Sequence, residues 1–348
     1  MKRLIIFLLA LLVVITPGCV KKKTRYQAEF LSLFDTVTTI VGYSESKEEF
    51  TALAGRIKDK LTEYHRLFDI YNSYEGVNNI KTINDNAGIA PVKVDKELIS
   101  MLLFAKEQYY ATDSKTNIAL GPVLRIWHDY RENGILDPLG AEVPPRKLLE
   151  NAARHTDIKG MIIDGEASTV YLSDPGMRLD VGAIAKGYAV ERTAQYLESE
   201  GISSLLLSVG GNVRAIGGKP GKNGMVPWNI GIKNPDKESP ETELCNVLIS
   251  GYSVVSSGSY ERYYTVDGTR YHHIIDPSTL MPVSYFTGVT VICRDSGIAD
   301  ALSTAIFNMP LEMGKEFVEG FDGVEALWVT STGEVIYSEG FGRFLKAD

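Results

Sequence analysis

Turn dipeptides set close together constrain this chain most. Asp164-Gly165, Gly210-Gly211-Asn212 and Asp267-Gly268 each separate two short apolar or alternating runs, so the polypeptide doubles back repeatedly. Met161 to Ile163 with Thr169 to Leu172, and Tyr260 to Val266 with Thr269 to Ile275, are predicted as hairpins. Ser204 to Val209 reads as a buried strand that turns into Val213 to Gly217. Val289 to Cys293 and a last hairpin from Val324 to Ser338 add to the sheet, and Phe30 to Tyr43 reads as one strand.

Helical periodicity appears in four places. From Ser46 to Tyr71, residues Phe50, Leu53, Ala54, Ile57, Leu61, Tyr64, Leu67, Phe68 and Tyr71 recur at steps of three and four. Asp95 is a good N-cap for a helix to about Ala111; Ala183 to Glu200 is stopped by Gly201; a fourth helix spans about Gly297 to Asn308. Gly121 to Pro145 has no clean period and reads as an irregular connection, and His65 as a surface or packed imidazole. The class is α+β, with mixed or antiparallel sheets and packed helices.

Lys2 and Arg3 precede the apolar run Leu4 to Ile15, and Thr16-Pro17-Gly18-Cys19 follows. This is a signal-peptide layout, too short for a permanent span of ~20 apolar residues. A Cys directly after Gly at the end of the apolar run resembles a bacterial lipoprotein signal. The expected organisation is therefore a signal over 1-18, a lipid-anchored tether over 19-28 and one domain over 29-348. The expected location is the outer face of the cytoplasmic membrane or the periplasmic side. Acyl chains on Cys19 would enter the bilayer at ~0.8 kcal/mol per buried methylene, with Lys21, Lys22 and Lys23 beside anionic headgroups. The net charge of -8, less the two cations Lys2 and Arg3, leaves -10 for the exported body, a poor nucleic-acid binder. Cys245 and Cys293 lack metal or redox spacing; a disulfide and two buried thiols are both open.

Three stretches carry chemistry. In Leu179-Asp180-Val181-Gly182-Ala183-Ile184-Ala185-Lys186, Asp180 is expected to end a short strand and Gly182 to open a helix. Free N–H groups there, with Lys186 one turn in, suit a phosphate; a packed junction with a solvated lysine is equally open. Asp300, Ser303 and Thr304 share a helix face at i, i+3 and i+4, oxygen donors of the kind magnesium takes, although on the triplet alone capping is favoured. His272 and His273, consecutive in a strand, point opposite ways, so one lies outside any site; His273, where strand meets turn, suits a general base. No GxGxxG, P-loop, HExxH or GxSxG motif occurs, which removes the sequence support for standard dinucleotide, NTPase, zinc-protease and α/β-hydrolase readings.

Leu179 to Val190, Leu207 to Ala215, Trp228 to Pro235, Ser256 to Arg262, His272 to Pro277 and Asp300 to Thr304 occur in the order of the ApbE family, which the chain resembles over nearly all its length after the tether. That resemblance implies a T-fold-like architecture and an Mg²⁺-dependent FAD:protein FMN transferase. Such an enzyme joins the FMN half of FAD to a Ser or Thr hydroxyl of an acceptor flavoprotein, for instance a membrane electron-transport subunit, and releases AMP. By position it implies His273 as catalytic base. It places Phe34, Tyr71, Thr116, Asn117, Asp180, Lys186 and Ile274 at the flavin nucleotide, and Ala183 (through its carbonyl), Asp300, Ser303 and Thr304 at magnesium. The chain departs from the family at Phe34-Asp35-Thr36, where Met-Gly-Thr is usual, at Asn117-Ile118-Ala119 and at Ser278-Thr279-Leu280. Two other readings stay open: a pyrophosphatase giving FMN and AMP, and a non-catalytic FAD-binding lipoprotein.

Overall fold

The computed structural model describes residues 23–347, so the signal segment and Cys19 lie outside the described residues. Among the described residues no helix is long and apolar enough to cross a membrane. Strand β1 (Thr24–Leu33) returns as β2 (Thr36–Ser44), pairing Leu33 with Thr36 across Phe34 and Asp35. The single strand expected over Phe30 to Tyr43 is therefore two. Both turn residues have φ of 53°, the left-handed geometry of a tight hairpin, with no Gly or Asn to announce it. The expected tether also runs into this sheet, since residues 24–28 belong to β1.

Helix α1 (Lys47–Phe68) starts at Ser46, whose hydroxyl accepts the Glu49 N–H, and buries the expected apolar stripe except Leu53, half-buried, and Tyr71, which lies past the helix end with its ring half-exposed. Then come α2 (Ile80–Asp85), β3 (Val92–Lys93), and α3 (Lys96–Ala111) capped by Asp95. Gly121 to Pro145 is not irregular: α4 (Gly121–Leu136) occupies most of it, with Pro122 in its first turn. Its buried residues are few, Val123, Trp127 and Gly134 among them, so the stripe is too thin to show as a period. α5 (Arg146–Ala153), β4 (Met161–Asp164) and β5 (Thr169–Leu172) follow, and β3 joins β5 and β4 in a small sheet.

Helix α6 (Ala185–Ser199) begins two residues later than expected and ends as expected at Gly201, φ +84°. Strands β6 (Leu205–Val209) and β7 (Asn212–Ile216) meet at Gly210 and Gly211, both at positive φ. Beyond the ribbon β8 (Lys219–Gly221) and β9 (Gly224–Val226), β10 (Trp228–Lys233) pairs with β11 (Glu243–Ile249). Next are β12 (Ser253–Gly258), the hairpin β13 (Tyr263–Val266) and β14 (Thr269–His272), and β15 (Phe286–Cys293). α7 (Ser296–Phe307), α8 (Leu311–Glu319), β16 (Glu325–Thr330) and β17 (Val335–Tyr337) complete the chain.

The main sheet has eight antiparallel strands in the order β1-β2-β6-β7-β12-β15-β16-β17. Helices α1, α6 and α7 cover one face; on the other, Val41, Ala215, Val254, Ile292 and Leu327 pack against Trp228, Ile230 and Ile232 of β10 and Val247 and Ile249 of β11. With both faces covered, β15 is apolar almost throughout and does not alternate. Cys293 is buried and Cys245 half-buried, and both are free thiols.

Candidate functional site

Leu179 and Asp180 are not in a strand as expected. The buried Asn84 of α2 takes the place of a neighbouring strand: its Nδ2–H donates to the Leu179 carbonyl at 2.9 Å and its Oδ1 accepts the Leu179 N–H at 2.7 Å. The Asp180 N–H donates to the Ile118 carbonyl at 2.8 Å. Asp180 Oδ1 then accepts the Gly182 N–H at 2.9 Å, closing a side-chain turn through Ala183 into α6. Ile184, at the cap of α6, offers no side-chain acceptor, so the first N–H groups of the helix need partners from elsewhere.

One partner comes from α7. Asp295 caps α7 by accepting the Gly297 and Ile298 N–H groups, and Asp300 lies just over one turn on, 4% exposed. Its Oδ2 accepts the Gly187 N–H at 2.8 Å, so a carboxylate 113 residues away caps α6. Lys186 Nζ stands 3.8 Å from the same oxygen and 3.4 Å from the Gly182 carbonyl. The lysine-bearing turn and the C-terminal aspartate therefore meet. Burial raises the Asp300 pKa, opposed by the Lys186 ammonium, the Gly187 N–H and the amide of Asn212. Asn212 is itself buried, and its Nδ2 completes no hydrogen bond in this structure. Ser303 Oγ is engaged with the Asp300 carbonyl at 2.9 Å and with Ser257 Oγ at 2.8 Å; the Thr304 side chain has no hydrogen-bond partner among the described residues.

The paired histidines separate as their alternation requires. His272 is buried: its Nε2–H donates to the Val283 carbonyl at 2.7 Å, Nδ1 accepts the Ile274 N–H at 3.2 Å, and the ring meets Phe307 edge-on. His273 lies just past β14, with its N–H 3.1 Å and Nδ1 3.3 Å from the Arg262 carbonyl. That contact keeps the proton on Nδ1 and leaves the Nε2 lone pair free. Burial, then the charges of Arg262, His272 and Arg131, push the His273 pKa down to about 3.

Two guanidinium groups, of Arg131 and Arg262, and the His128 imidazole complete this wall. Trp127 anchors α4 by donating from Nε1 to the Leu280 carbonyl at 2.9 Å and stacking on Tyr271, and His128 and Arg131 follow it on the same helix. The His128 ring lies 5.8 Å from that of Tyr71. Arg262 and Arg131 act on Asp180, Tyr71 and His273 alike, and His128 on Asp180 as well, so these residues lie within charge-interaction range of one another and form one site. Burial raises the Asp180 pKa, with the Gly182 N–H and these cations opposing it; burial and Asp180 raise that of Tyr71. In a chain of net charge -8, this concentration of cations is an anion site. Sequence reasoning passed over His128 and Arg131 because α4 was read as irregular. Arg262 was in view, as the last residue of the Ser256 to Arg262 stretch.

The other expected residues fall at the margins of the cleft. Phe34 donates its N–H to His65 Nδ1 at 3.2 Å and packs edge-on against that ring, which accounts for its left-handed backbone. Thr116 donates its hydroxyl to the Ala301 carbonyl at 2.7 Å, tying the end of α3 to α7 beside Asp300. Asn117 caps the short turn at Ile118–Leu120 and reaches the Thr156 carbonyl, and Ile274 is buried behind His273. Cavities of about 600 Å³ beside α1 and β3 and 370 Å³ between α3 and α6 lie away from the cleft. Among the described residues no three His, Cys, Asp or Glu side chains gather as metal ligands.

The ApbE family model matches residues 34–328. An FAD:protein FMN transferase of Klebsiella pneumoniae is 33% identical over 288 residues, 82% of this chain and 85% of that protein. One from Treponema pallidum is 34% identical over 260 residues, 72% of this chain and 70% of that protein. Among solved structures, an ApbE protein of Thermotoga maritima superposes with TM-score 0.79 at 32% identity, covering 93% of this chain and all of the other.

Proposed function

The chain belongs to the ApbE family, and on that premise we propose that it is a transferase moving the FMN half of FAD to a Ser or Thr hydroxyl of an acceptor protein, with release of AMP. The observation that carries the reading is the 3.8 Å approach of Lys186 to Asp300, beside a cleft where His273 and Asp180 share the charges of Arg131 and Arg262.

The transfer needs an anion held still and a hydroxyl deprotonated beside it. Lys186, Arg131 and Arg262 supply positive charge for the diphosphate. Tyr71, its ring half-exposed at the mouth of the cleft, offers a face for the flavin. The acceptor oxygen bonds to the phosphorus on the flavin side as the bond to the AMP phosphate breaks. The hydroxyl proton passes to His273 Nε2, which is free to take it because Nδ1 is turned to the Arg262 carbonyl.

A buried carboxylate, a hydroxyl without a hydrogen bond and a carbonyl in the turn before α6 suit a hard divalent cation. Asp300, Thr304 and the Ala183 carbonyl would hold Mg²⁺, with the Ser303 hydroxyl bracing their turn. Bound there, the ion would neutralise charge building on the phosphate oxygens. The lone protein carboxylate fits an ion that takes its remaining oxygens from substrate and water. The N-terminal reading adds a lipid anchor at Cys19, which would hold the enzyme against the outer face of the membrane near membrane-bound acceptors.

The test is direct. Purified protein is incubated with FAD, Mg²⁺ and a Thr-containing acceptor while AMP and the acceptor mass are followed. AMP in step with an acceptor heavier by one FMN supports the reading; FMN and AMP with unmodified acceptor makes the protein a pyrophosphatase, and intact FAD a binding protein.

A further inference from the structure

Behind the cleft, on the far side of the α6–α7 contact, lies a buried ionic knot that the proposed chemistry leaves unused. Glu191, one turn beyond Gly187 on α6, accepts the Arg214 Nε–H at 3.0 Å and the Ser296 N–H at 2.9 Å, both through Oε2. Its Oε1 accepts from Gln195 Nε2 at 3.1 Å. Arg214, on β7, also donates to Glu198 at 3.2 Å and to the Ala215 carbonyl at 2.6 Å. Both charged side chains are more than nine-tenths buried. One carboxylate thus joins α6, the main sheet and the first N–H of α7.

The same two helix starts meet again at Gly187. A Cβ there would lie 2.3 Å from the Ser296 carbonyl oxygen and 2.5 Å from Asp300 Cβ, so the helices touch through backbone with nothing between them. The residues expected to hold the ion, and the lysine beside it, are divided across this seam: Ala183 and Lys186 on the α6 side, Asp300 and Thr304 on the α7 side. The Glu191 grip on Ser296 acts three residues after the Cys293 end of β15 and four before Asp300, where α7 has just begun.

We infer that Glu191 and Arg214 are positioning residues, which set the α6–α7 spacing and so hold the two halves of the metal and diphosphate site at working distance. The inference rests on the metal-dependent transferase reading, and deepens it. Neither side chain touches substrate; both act through the helix starts they pin. A buried pair is not needed for stability alone, since replacing both partners with apolar residues of similar size is often neutral. That replacement removes the acceptor for the Ser296 N–H and loosens the start of α7 against α6, leaving the Gly187–Asp300 bond to hold it alone.

The experiment compares the native protein with Glu191→Met/Arg214→Met and with Glu191→Gln, which keeps an oxygen acceptor for Ser296. Three readouts are taken: thermal midpoint, Mg²⁺ dependence of AMP release, and amide hydrogen exchange of the segment containing Gly187, without metal. The double variant is expected to fold, to need about tenfold more Mg²⁺ for half-maximal rate with kcat at saturation within about threefold, and to exchange faster at Gly187. Glu191→Gln is expected to recover most of the Mg²⁺ affinity and the protection. Native Mg²⁺ dependence and native exchange in the double variant would overturn the inference, as would loss of kcat with unchanged Mg²⁺ requirement. If the double variant does not fold, Arg214→Lys, which cannot span Glu191, Glu198 and the Ala215 carbonyl together, is expected to give the same changes at smaller amplitude; native behaviour there overturns the inference. A native protein indifferent to Mg²⁺ would strike the functional reading instead, and the exchange comparison would still decide the positioning role.

Discussion

Adding one methyl group at Gly187 tests whether the α6–α7 seam governs the chemistry. In Gly187→Ala the new Cβ would stand 2.3 Å from the Ser296 carbonyl oxygen and 2.5 Å from Asp300 Cβ, roughly 1 Å short of an ordinary contact in both directions. The obstructing atoms are the backbone of α7 and the root of its aspartate, which have no rotamer to retreat into. The helices must part by about 1 Å, and the 2.8 Å bond from the Gly187 N–H to Asp300 lengthens beyond hydrogen-bonding range. Overpacking costs about 1–3 kcal/mol, while Ala in place of Gly in a helix returns up to about 1 kcal/mol. The net loss of stability is about 0–2 kcal/mol, a few degrees of melting midpoint for a chain of this size. Catalysis loses more, because a misplacement of 1 Å at a reacting centre costs on the order of 10²-fold. The assay is initial-rate AMP release at saturating FAD and Mg²⁺, with a melting curve on the same sample. A rate within threefold of native in a folded Gly187→Ala protein would refute the argument, because a wedge against backbone, unlike a lost pin, cannot be drawn closed by saturating Mg²⁺.

Asp300→Asn separates the two duties of that residue. The amide oxygen can still accept the Gly187 N–H, so stability stays within about 1 kcal/mol of native, while Mg²⁺-dependent AMP release falls to background; persistent activity would remove the carboxylate from the metal site. His273→Ala is expected to bind FAD as the native protein does, measured by flavin fluorescence, and to lose ~10²- to 10⁴-fold in transfer. With the His273 pKa pushed from 6.5 down to about 3, the free enzyme holds the imidazole neutral throughout the usual working range, so its base form is lost only on strong acidification. The profile of kcat/KM should therefore show no step near pH 6.5. Arg262→Met removes a charge that opposes protonation and should move the acid limb to higher pH; a native limb already at 6.5 would contradict the assignment. Arg131→Met, in the wall of the cleft, is expected to weaken FAD binding and to lessen its salt dependence, read by titration at two ionic strengths.

Much of the scaffold was legible because its signals are local. Ser46 and Asp95 cap the helices they announce, Gly201 ends α6, and Asp164-Gly165, Gly210-Gly211 and Asp267-Gly268 turn the hairpins that contain them. Local rules failed where tertiary contacts override them. Phe34 and Asp35 make a left-handed turn in which only the aspartate is a usual turn residue, held by His65 from α1. α4 hides its period because it buries a narrow strip, anchored by Trp127 on the β14 hairpin. The extended segment at Leu179 looks like a strand in sequence, yet its partner is the amide of Asn84.

By itself the sequence determined the elements and the chemical types at the site: an aspartate-bearing helix face, a lysine at a helix start, and two histidines that cannot face the same way. Only the tertiary structure decided that Asp300 caps α6 beside Lys186, that His273 and not His272 faces the cleft, and that Arg131, His128 and Arg262 line it. The physical reason is range. Periodicity and turn chemistry act over a few residues, whereas the charge balance of a buried site is assembled from segments more than a hundred residues apart, brought together by the apolar faces they cover rather than by the polar groups they carry.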